Sequence, residues 1–319
     1  KKLREKFMQK NLLLDVDFKK PFVYFPLGVD PEGNILIAAP FFTNQIEMVR
    51  SVAKSLPVGY KLYVKEHMGM KYRHWRPISY YKKIIKQSDF RFMVHNYFPT
   101  PKKSFVVNIA SPDGRVRNLS LKHIRKAITF CRETNSKLYT FHPGFVGDPM
   151  DVSRNRKNYD FIWDTKNLNK NYNLSFKNML SSLKKIVNFA KDQGVEVAIE
   201  TEGSFRKKNL LLMQRPNEFK ELFKYFKPND LGVNLNIGHL NLASKAFNFS
   251  KFKFVEKLKK YILAIELSHN NGIDDQHLPL KKNMWYWKII NDPYFSKVYK
   301  ILEFRNTSIK NIKNVFNYF

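Results

Sequence analysis

The sequence predicts an α/β protein: a β/α barrel preceded by a shorter β–α–β segment. Three observations predict it. From Asp89 onward, short apolar runs alternate with amphipathic helical stretches, the rhythm of a parallel sheet covered by helices. Each of those runs is followed by a histidine or a carboxylate, and C-terminal strand ends are where such a barrel gathers its active site. Before Asp89 a separate strand–helix–strand passage stands alone.

In that first passage Phe22-Val23-Tyr24-Phe25 is a β-rich run closed by Pro26, and Ile35-Leu36-Ile37-Ala38-Ala39 is a second apolar run. Ile46, Val49, Val52, Ala53 and Leu56 recur at helical spacing up to Pro57, which stops the helix. Lys61 to His67 is a further strand, completing a β–α–β unit of parallel type. The polar run Met68 to Gln87 precedes the boundary, which divides the chain into residues 1–88 and 89–319.

The barrel strands are placed at Phe90–Val94, Leu138–Phe141, Val195–Ile199, Leu231–Leu235, Ile262–Leu267 and Val298–Leu302. Ser120 is the expected cap of a helix carrying Ile124, Ala127, Ile128 and Cys131. Ser175 is the expected cap of another, with Met179, Leu180, Leu183, Ile186, Val187 and Ala190 inside it and Gly194 as its stop. Six strands fall short of the eight of a closed barrel. Either two are obscure, with Phe105–Ile109 a candidate, or the barrel is incomplete.

Composition narrows the class. No apolar run approaches the ~20 residues that span a bilayer. The start, Lys1-Lys2-Leu3-Arg4-Glu5-Lys6, has no initiator Met and no signal-type apolar stretch, so the sequence is expected to begin inside a longer protein. The single cysteine, Cys131, points to a reducing cytoplasm. A net charge of +30 attracts anionic partners in principle, but Arg is a minority of the 57 basic residues. The excess therefore reads first as scattered solvated Lys, since phosphate readers favour the planar Arg fork.

The chemistry sits after the strands. Val94 leads to His95, Phe141 to His142, Ile199 to Glu200 with Glu202 beyond, and Leu235 to Asn236 and then His239. Ile265 leads to Glu266 and His269, and Leu302 to Glu303. Any one strand-end His is more often a hydrogen-bonded loop residue. Five of the eight histidines (His95, His142, His239, His269 and His277) share such positions, which favours a common site. Imidazole with carboxylate is a ligand set for Zn, Mn or Fe more than for Mg or Ca.

These segments (Val94-His95-Asn96, Phe141-His142-Pro143-Gly144, Ile199-Glu200, Asn236-Ile237-Gly238-His239, Asp275-Gln276-His277 and Glu303) resemble the xylose-isomerase-like TIM barrel superfamily. That group holds sugar-phosphate isomerases and epimerases and also endonuclease IV. The resemblance covers residues 89–319. It implies a divalent metal, Mn or Zn ahead of Co, Fe or Mg, held among Glu200, Asn236, His239, Glu266, Asp275, His277 and Glu303. It implies Glu200 and Glu303 as catalytic carboxylates that remove and return a proton. His95, His142, Glu202, His269 and Arg305 become substrate contacts, with His95 and His142 metal ligands in the endonuclease version. Two positions depart: Asn236 stands where the family usually has Asp, and Glu266 where it usually has His. Glu266 would restore the charge lost at Asn236, and His269 is a candidate to replace the imidazole.

His239 and His277 are the imidazoles expected first as ligands. Gly238 would permit a tight turn that brings His239 over the strand end. Asp275 and His277, two apart in an extended stretch, would share one side, both facing an ion or Asp275 orienting His277. The competing expectation is that Asn236 and Asp275 cap local turns and leave both histidines solvated.

Residues 20–86, through Lys20-Pro21-Phe22-Val23-Tyr24-Phe25-Pro26-Leu27, Ala39-Pro40-Phe41-Phe42-Thr43-Asn44-Gln45 and the Lys61–His67 strand, resemble part of a capsule or surface-polysaccharide glycosyltransferase domain, a Rossmann-type half. No Gly-rich phosphate loop is present. The expected function is a metal-dependent isomerase or epimerase of a sugar in surface-polysaccharide metabolism. The alternatives are an endonuclease IV-like phosphodiesterase, which would make nucleic acid the partner, and a non-catalytic barrel serving as a binding module.

Overall fold

The computed structural model describes residues 2–11, 21–29, 42–57, 60–67, 69–73, 75–86, 93–97, 99, 101, 105–152, 161–163, 171–305 and 307–318. The chain forms two compact units, Lys1–Arg91 and Phe92–Phe319.

The first unit contains helix α1 (Lys2–Asn11), strand β1 (Phe22–Pro26), α2 (Gln45–Ser55), β2 (Lys61–Lys65), α3 (Gly69–Tyr72) and α4 (Ile78–Lys86). The β–α–β reading holds: β1 and β2 pair in parallel, Phe22 against Lys61 through Pro26 against Lys65. The apolar run Ile35–Ala39 lies outside the described residues. Asn44 caps α2 by accepting from Glu47 N. Buried Arg76 donates to Glu66 at 3.0 Å, and Tyr81 donates to the same carboxylate oxygen at 2.6 Å, so the burial of this charge is compensated locally.

The second unit is a curled parallel half-barrel. Its strands are β3 (Val94–His95), β4 (Leu138–Phe141), β7 (Glu196–Glu200), β8 (Gly232–Asn236), β9 (Ile262–Leu267) and β10 (Tyr299–Leu302). A small antiparallel pair, β5 (Asp151–Val152) and β6 (Phe161–Ile162), intervenes. The six parallel strands lie side by side in chain order, so each successive strand end is set beside the previous one. Helices α5 (Gly114–Glu133), α6 (Tyr172–Asp192), α7 (Pro216–Leu222), α8 (Ile237–Phe247), α9 (Lys251–Leu258), α10 (Trp287–Ile290) and α11 (Ile309–Phe316) join or follow them.

The elements form for the reasons their patterns give. α6 buries Met179, Leu183, Ile186, Val187 and Ala190, one face at helical spacing, and Gly194 follows its end at φ +65. α5 buries Ile124, Ala127, Ile128 and Cys131 in the same way. Each fully buried aliphatic side chain of this kind contributes about 1.5–3 kcal/mol. The strands β4, β7 and β8 are buried along nearly their whole length, as strands covered on both faces must be.

Three local expectations are corrected. Phe105–Ile109 is not a strand; Val107 and Ile109 are buried in irregular chain, and among the described residues the barrel has six parallel strands. α5 begins earlier than Ser120: Asp113 caps it by accepting from Arg115 N, while buried Ser120 accepts from Asn108 N. α6 is capped by Asn171, which accepts from Leu174 N, and Ser175 turns inward to donate to the Val146 carbonyl. In both helices an Asx residue one or two turns upstream outcompeted the serine, because the apolar face alone does not fix where a helix starts.

Candidate metal centre

Strand pairing fixes the layout. His95 ends β3 directly opposite Thr140, and its ring nitrogen Nδ1 lies 2.8 Å from Thr140 Oγ1. Glu200 ends β7 opposite Asn234, and Asn236 ends β8 opposite Glu266 of β9. A register irregularity between Val233 and Asn234 sets the latter pairing. Glu303 follows β10 and its backbone N–H reaches Leu267 O.

The side chains gather in two donor sets around a shared middle. In the first, His95, His142 and Glu200 offer ligand atoms that lie within 4.8 Å of one another. Glu200 Oε2 stands 3.8 Å from His95 Nε2 and 3.6 Å from His142 Nδ1. That oxygen is buried and accepts no hydrogen bond. A buried carboxylate oxygen with no donor, faced by two imidazoles, fits a cation site. His142 Nδ1 lies 2.6 Å from Glu202 Oε1.

The second set is His239, Asp275 and His277. Asp275 Oδ2 is 3.6 Å from His239 Nε2 and 2.9 Å from His277 Nε2, and Asp275 Oδ1 is again buried without a hydrogen bond. His239 Nδ1 lies 2.9 Å from the Thr201 carbonyl, which as acceptor makes Nε2 the nitrogen that would serve a ligand role once the ring is neutral. His277 Nδ1 is 3.1 Å from Glu303 Oε2.

Protonation follows from these neighbours. Burial opposes charge on His142, but Glu202 and Glu200 outweigh it and raise its pKa to about 9. His277 is raised to about 9 in the same way by Asp275 and Glu303, and His239 well above its usual range by Asp275 and Glu200. His95 is lowered, desolvation prevailing over nearby Glu200. Burial works against ionised Glu200, yet His142, His239 and His95 hold its carboxyl far below the usual range. Asp275 is likewise held down, by His239 and His277 against burial. Glu266 is pushed well up by burial and by the charges of Glu200 and Glu303. Protons on the histidines balance carboxylates that a divalent ion would otherwise balance, and both donor sets fit such an ion.

The middle is occupied differently. Asn236 turns its Nδ2 toward Glu200 at 2.9 Å, Glu266 at 3.1 Å and Glu303 at 3.3 Å, while its Oδ1 accepts from His239 N as the cap of α8. The Asn236 oxygen expected as a ligand serves here as the cap of α8. Glu266 accepts from Asn234 and Asn236, and does not join either donor set. His269 does not replace the imidazole: its backbone pairs with Leu278 and its ring packs edge-on against Tyr286 at 6.0 Å.

Gly238 makes no tight turn. It lies inside α8, where a Cβ would come within 2.7 Å of Ser268 Oγ. Both His239 and His277 are buried, which overturns the solvated alternative. The Asp275–His277 contact forms through a left-handed His277 at φ +48 and not through extended chain. Arg305 lies 3.7 Å from Glu303, with its side chain 44% exposed at the rim.

Residues outside the expected set complete the site. Thr140, Thr201 and Asn234 hold His95, His239 and Glu266 respectively. Gly203 is forced, because a Cβ there would lie 2.0 Å from the His239 carbonyl oxygen. The available signals were polar residues at alternate positions of an otherwise apolar strand, Asn234 and Asn236, and a glycine closing Glu200-Thr201-Glu202-Gly203.

The xylose isomerase-like TIM barrel family matches residues 65–315. An uncharacterized protein of Methanocaldococcus jannaschii is 28% identical over 216 residues, 66% of this chain. The chain spans 62% of that relative's length. Apurinic-apyrimidinic endonuclease 1 of Plasmodium falciparum is 32% identical over 89 residues, 27% of this chain and 15% of the endonuclease. The crystal structure of a D-tagatose 3-epimerase-like protein superposes with a TM-score of 0.54 at 26% identity, covering 76% of this chain and 81% of the other. Nothing supports the glycosyltransferase-like reading of residues 20–86, and the family match begins inside that segment. Among the described residues no helix is long and apolar enough to cross a membrane.

Proposed function

We propose that this chain, which belongs to the xylose isomerase-like TIM barrel family, is a metal-dependent hydrolase of a sugar phosphodiester. One observation carries the reading: two complete three-donor sets, His95–His142–Glu200 and His239–Asp275–His277, flank a middle that is closed by an amide. Divalent ions held by these sets would supply Lewis acidity to a phosphoryl group and acidify an attacking water. The chain's own residues do the rest. Glu202 keeps His142 oriented and Thr140 keeps His95 oriented. Glu303, about a third exposed at 31%, is the carboxylate of the middle best placed to take a proton from water. Arg305 at the rim offers a planar fork to a phosphate oxygen. The named Plasmodium relative makes an abasic site in DNA the first substrate to try.

A sugar epimerase is the second reading, favoured by the D-tagatose 3-epimerase-like structure. It keeps Glu200 and Glu303 as the proton-transfer pair, but its single ion would have to sit where Asn236 presents its NH2. Protein reconstituted with Zn or Mn, incubated in parallel with an abasic-site duplex and with ketohexoses, separates the two. Strand nicking abolished by His142→Ala supports the hydrolase; epimerisation without nicking replaces it. A protein that retains no metal and transforms neither substrate is the binding module.

A further inference from the structure

Three carboxylates from three strands converge on one amide. Asn236 Nδ2 lies 2.9 Å from Glu200 Oε1, 3.1 Å from Glu266 Oε2 and 3.3 Å from Glu303 Oε2. The side chain is fully buried. Its orientation is set from the other end, where Oδ1 accepts from His239 N at 3.1 Å and caps α8. Turning the amide over would lose that cap and aim an oxygen at three carboxylates. Glu266 is pinned a second time, its Oε1 accepting from Asn234 Nδ2 at 2.8 Å. Carboxylates this close ordinarily share a proton or a cation. Here a neutral NH2 group, with two hydrogens for three acceptors, occupies the point on which they converge.

We propose that the centre of the cup is a permanent hydrogen-bonded plug and not a metal site. The chain holds ions only in the two flanking sets, and the Asn236 amide ties Glu200, Glu266 and Glu303 together where an ion would otherwise do so. The count of two rests on the flanking sets being metal sites; the plug itself does not. Two substitutions together should open the centre. Asp is as good a helix cap as Asn, so Asn236→Asp keeps the start of α8 while exchanging the NH2 for an oxygen. Glu266→His, added to it, replaces one crowded carboxylate with an imidazole.

The test is metal stoichiometry, read by elemental analysis and calorimetry on the chain of residues 1–319 stripped with chelator and reloaded with zinc. Wild type should bind two ions, and Asn236→Asp/Glu266→His should bind one more than wild type. That gain of one ion tests the plug whatever the starting number; the starting number tests the flanking sets. A wild type with zero or one ion and a variant with one more would defeat the functional reading and leave the plug standing. A folded variant with no gain would overturn the plug. Should the variant fail to fold, anomalous zinc scattering from wild-type crystals decides: a peak among Glu200, Glu266 and Glu303 overturns the proposal, and its absence there with peaks at the flanking sets supports it.

Discussion

Asp275→Asn is the sharpest single perturbation of the second donor set. In the metal-free protein burial opposes charge on His277, yet Asp275 at 2.9 Å and Glu303 at 3.1 Å raise its pKa from 6.5 to about 9. At about 1.4 kcal/mol per pH unit this is a preference of about 3 kcal/mol for the charged ring. Asp275 is the nearer and more buried partner, so at least half should go with it, and the His277 pKa should fall by at least ~1. The sign of the stability effect follows. A raised His pKa gives stability that is complete below 6.5 and is lost as pH rises through about 9. The depressed Asp275 gives stability present above its unfolded value and lost as pH falls through its folded one. The two shifts share the Asp275–His277 contact, Asp275 being held down by His239 as well, and are not added. The variant should therefore be less stable by about 2–3 kcal/mol near pH 6, and the deficit should shrink above about pH 9. Ring-proton NMR titration and urea unfolding at the two pH values measure both quantities. A wild-type His277 that titrates near 6.5, or a deficit equal at both pH values, refutes the reasoning.

Zinc affinity should rise with pH toward about 9, because His142 and His277 must shed protons to ligate. Calorimetry in two buffers of different ionisation enthalpy should show proton release; identical heats would count against either set as a ligand set. Gly203→Ala should cost about 3 kcal/mol or more, since its Cβ would lie 2.0 Å from a backbone oxygen; unchanged thermal stability would mean that the His239 turn is placed wrongly. Thr140→Val should weaken zinc binding at the first set by roughly 10–100-fold with little effect on folding, by releasing the His95 ring. Equal affinity would show that Thr140 does not orient that ring.

Much of the barrel was legible because strands buried on both faces and helices with one apolar face leave strong patterns. Leu138–Phe141 and Ile262–Leu267 were found at their observed limits, and the others within a residue or two where described. Helix starts were not legible: Asp113 and Asn171 compete with Ser120 and Ser175 on chemistry that any Asx or Ser shares. The site's membership was readable because strand ends converge by topology alone. Its connectivity was not. Whether Asn236 offers oxygen or nitrogen to its neighbours depends on which end caps α8, and spacing along the chain carries no record of that. His269 failed for a similar reason: two residues past a strand end, a backbone pairing with Leu278 decides which way the ring turns.

Asn236 and Glu266 form one local unit of the fold. They are register partners on adjacent strands and are joined by a 3.1 Å hydrogen bond, amide to carboxyl. An Asp at 236 with Glu266 retained would bring a fourth carboxylate to three already crowded, and a His at 266 with Asn236 retained would take away one of the amide's acceptors. Each single change should therefore destabilise the metal-free protein, by about 1–3 kcal/mol, while the second change offsets part of the first. The double-mutant cycle of Asn236→Asp and Glu266→His, measured by urea unfolding in the presence of chelator, should return a favourable coupling of at least ~1 kcal/mol, within the range for residues in direct contact. Strict additivity would mean that the hydrogen bond between them holds nothing in place.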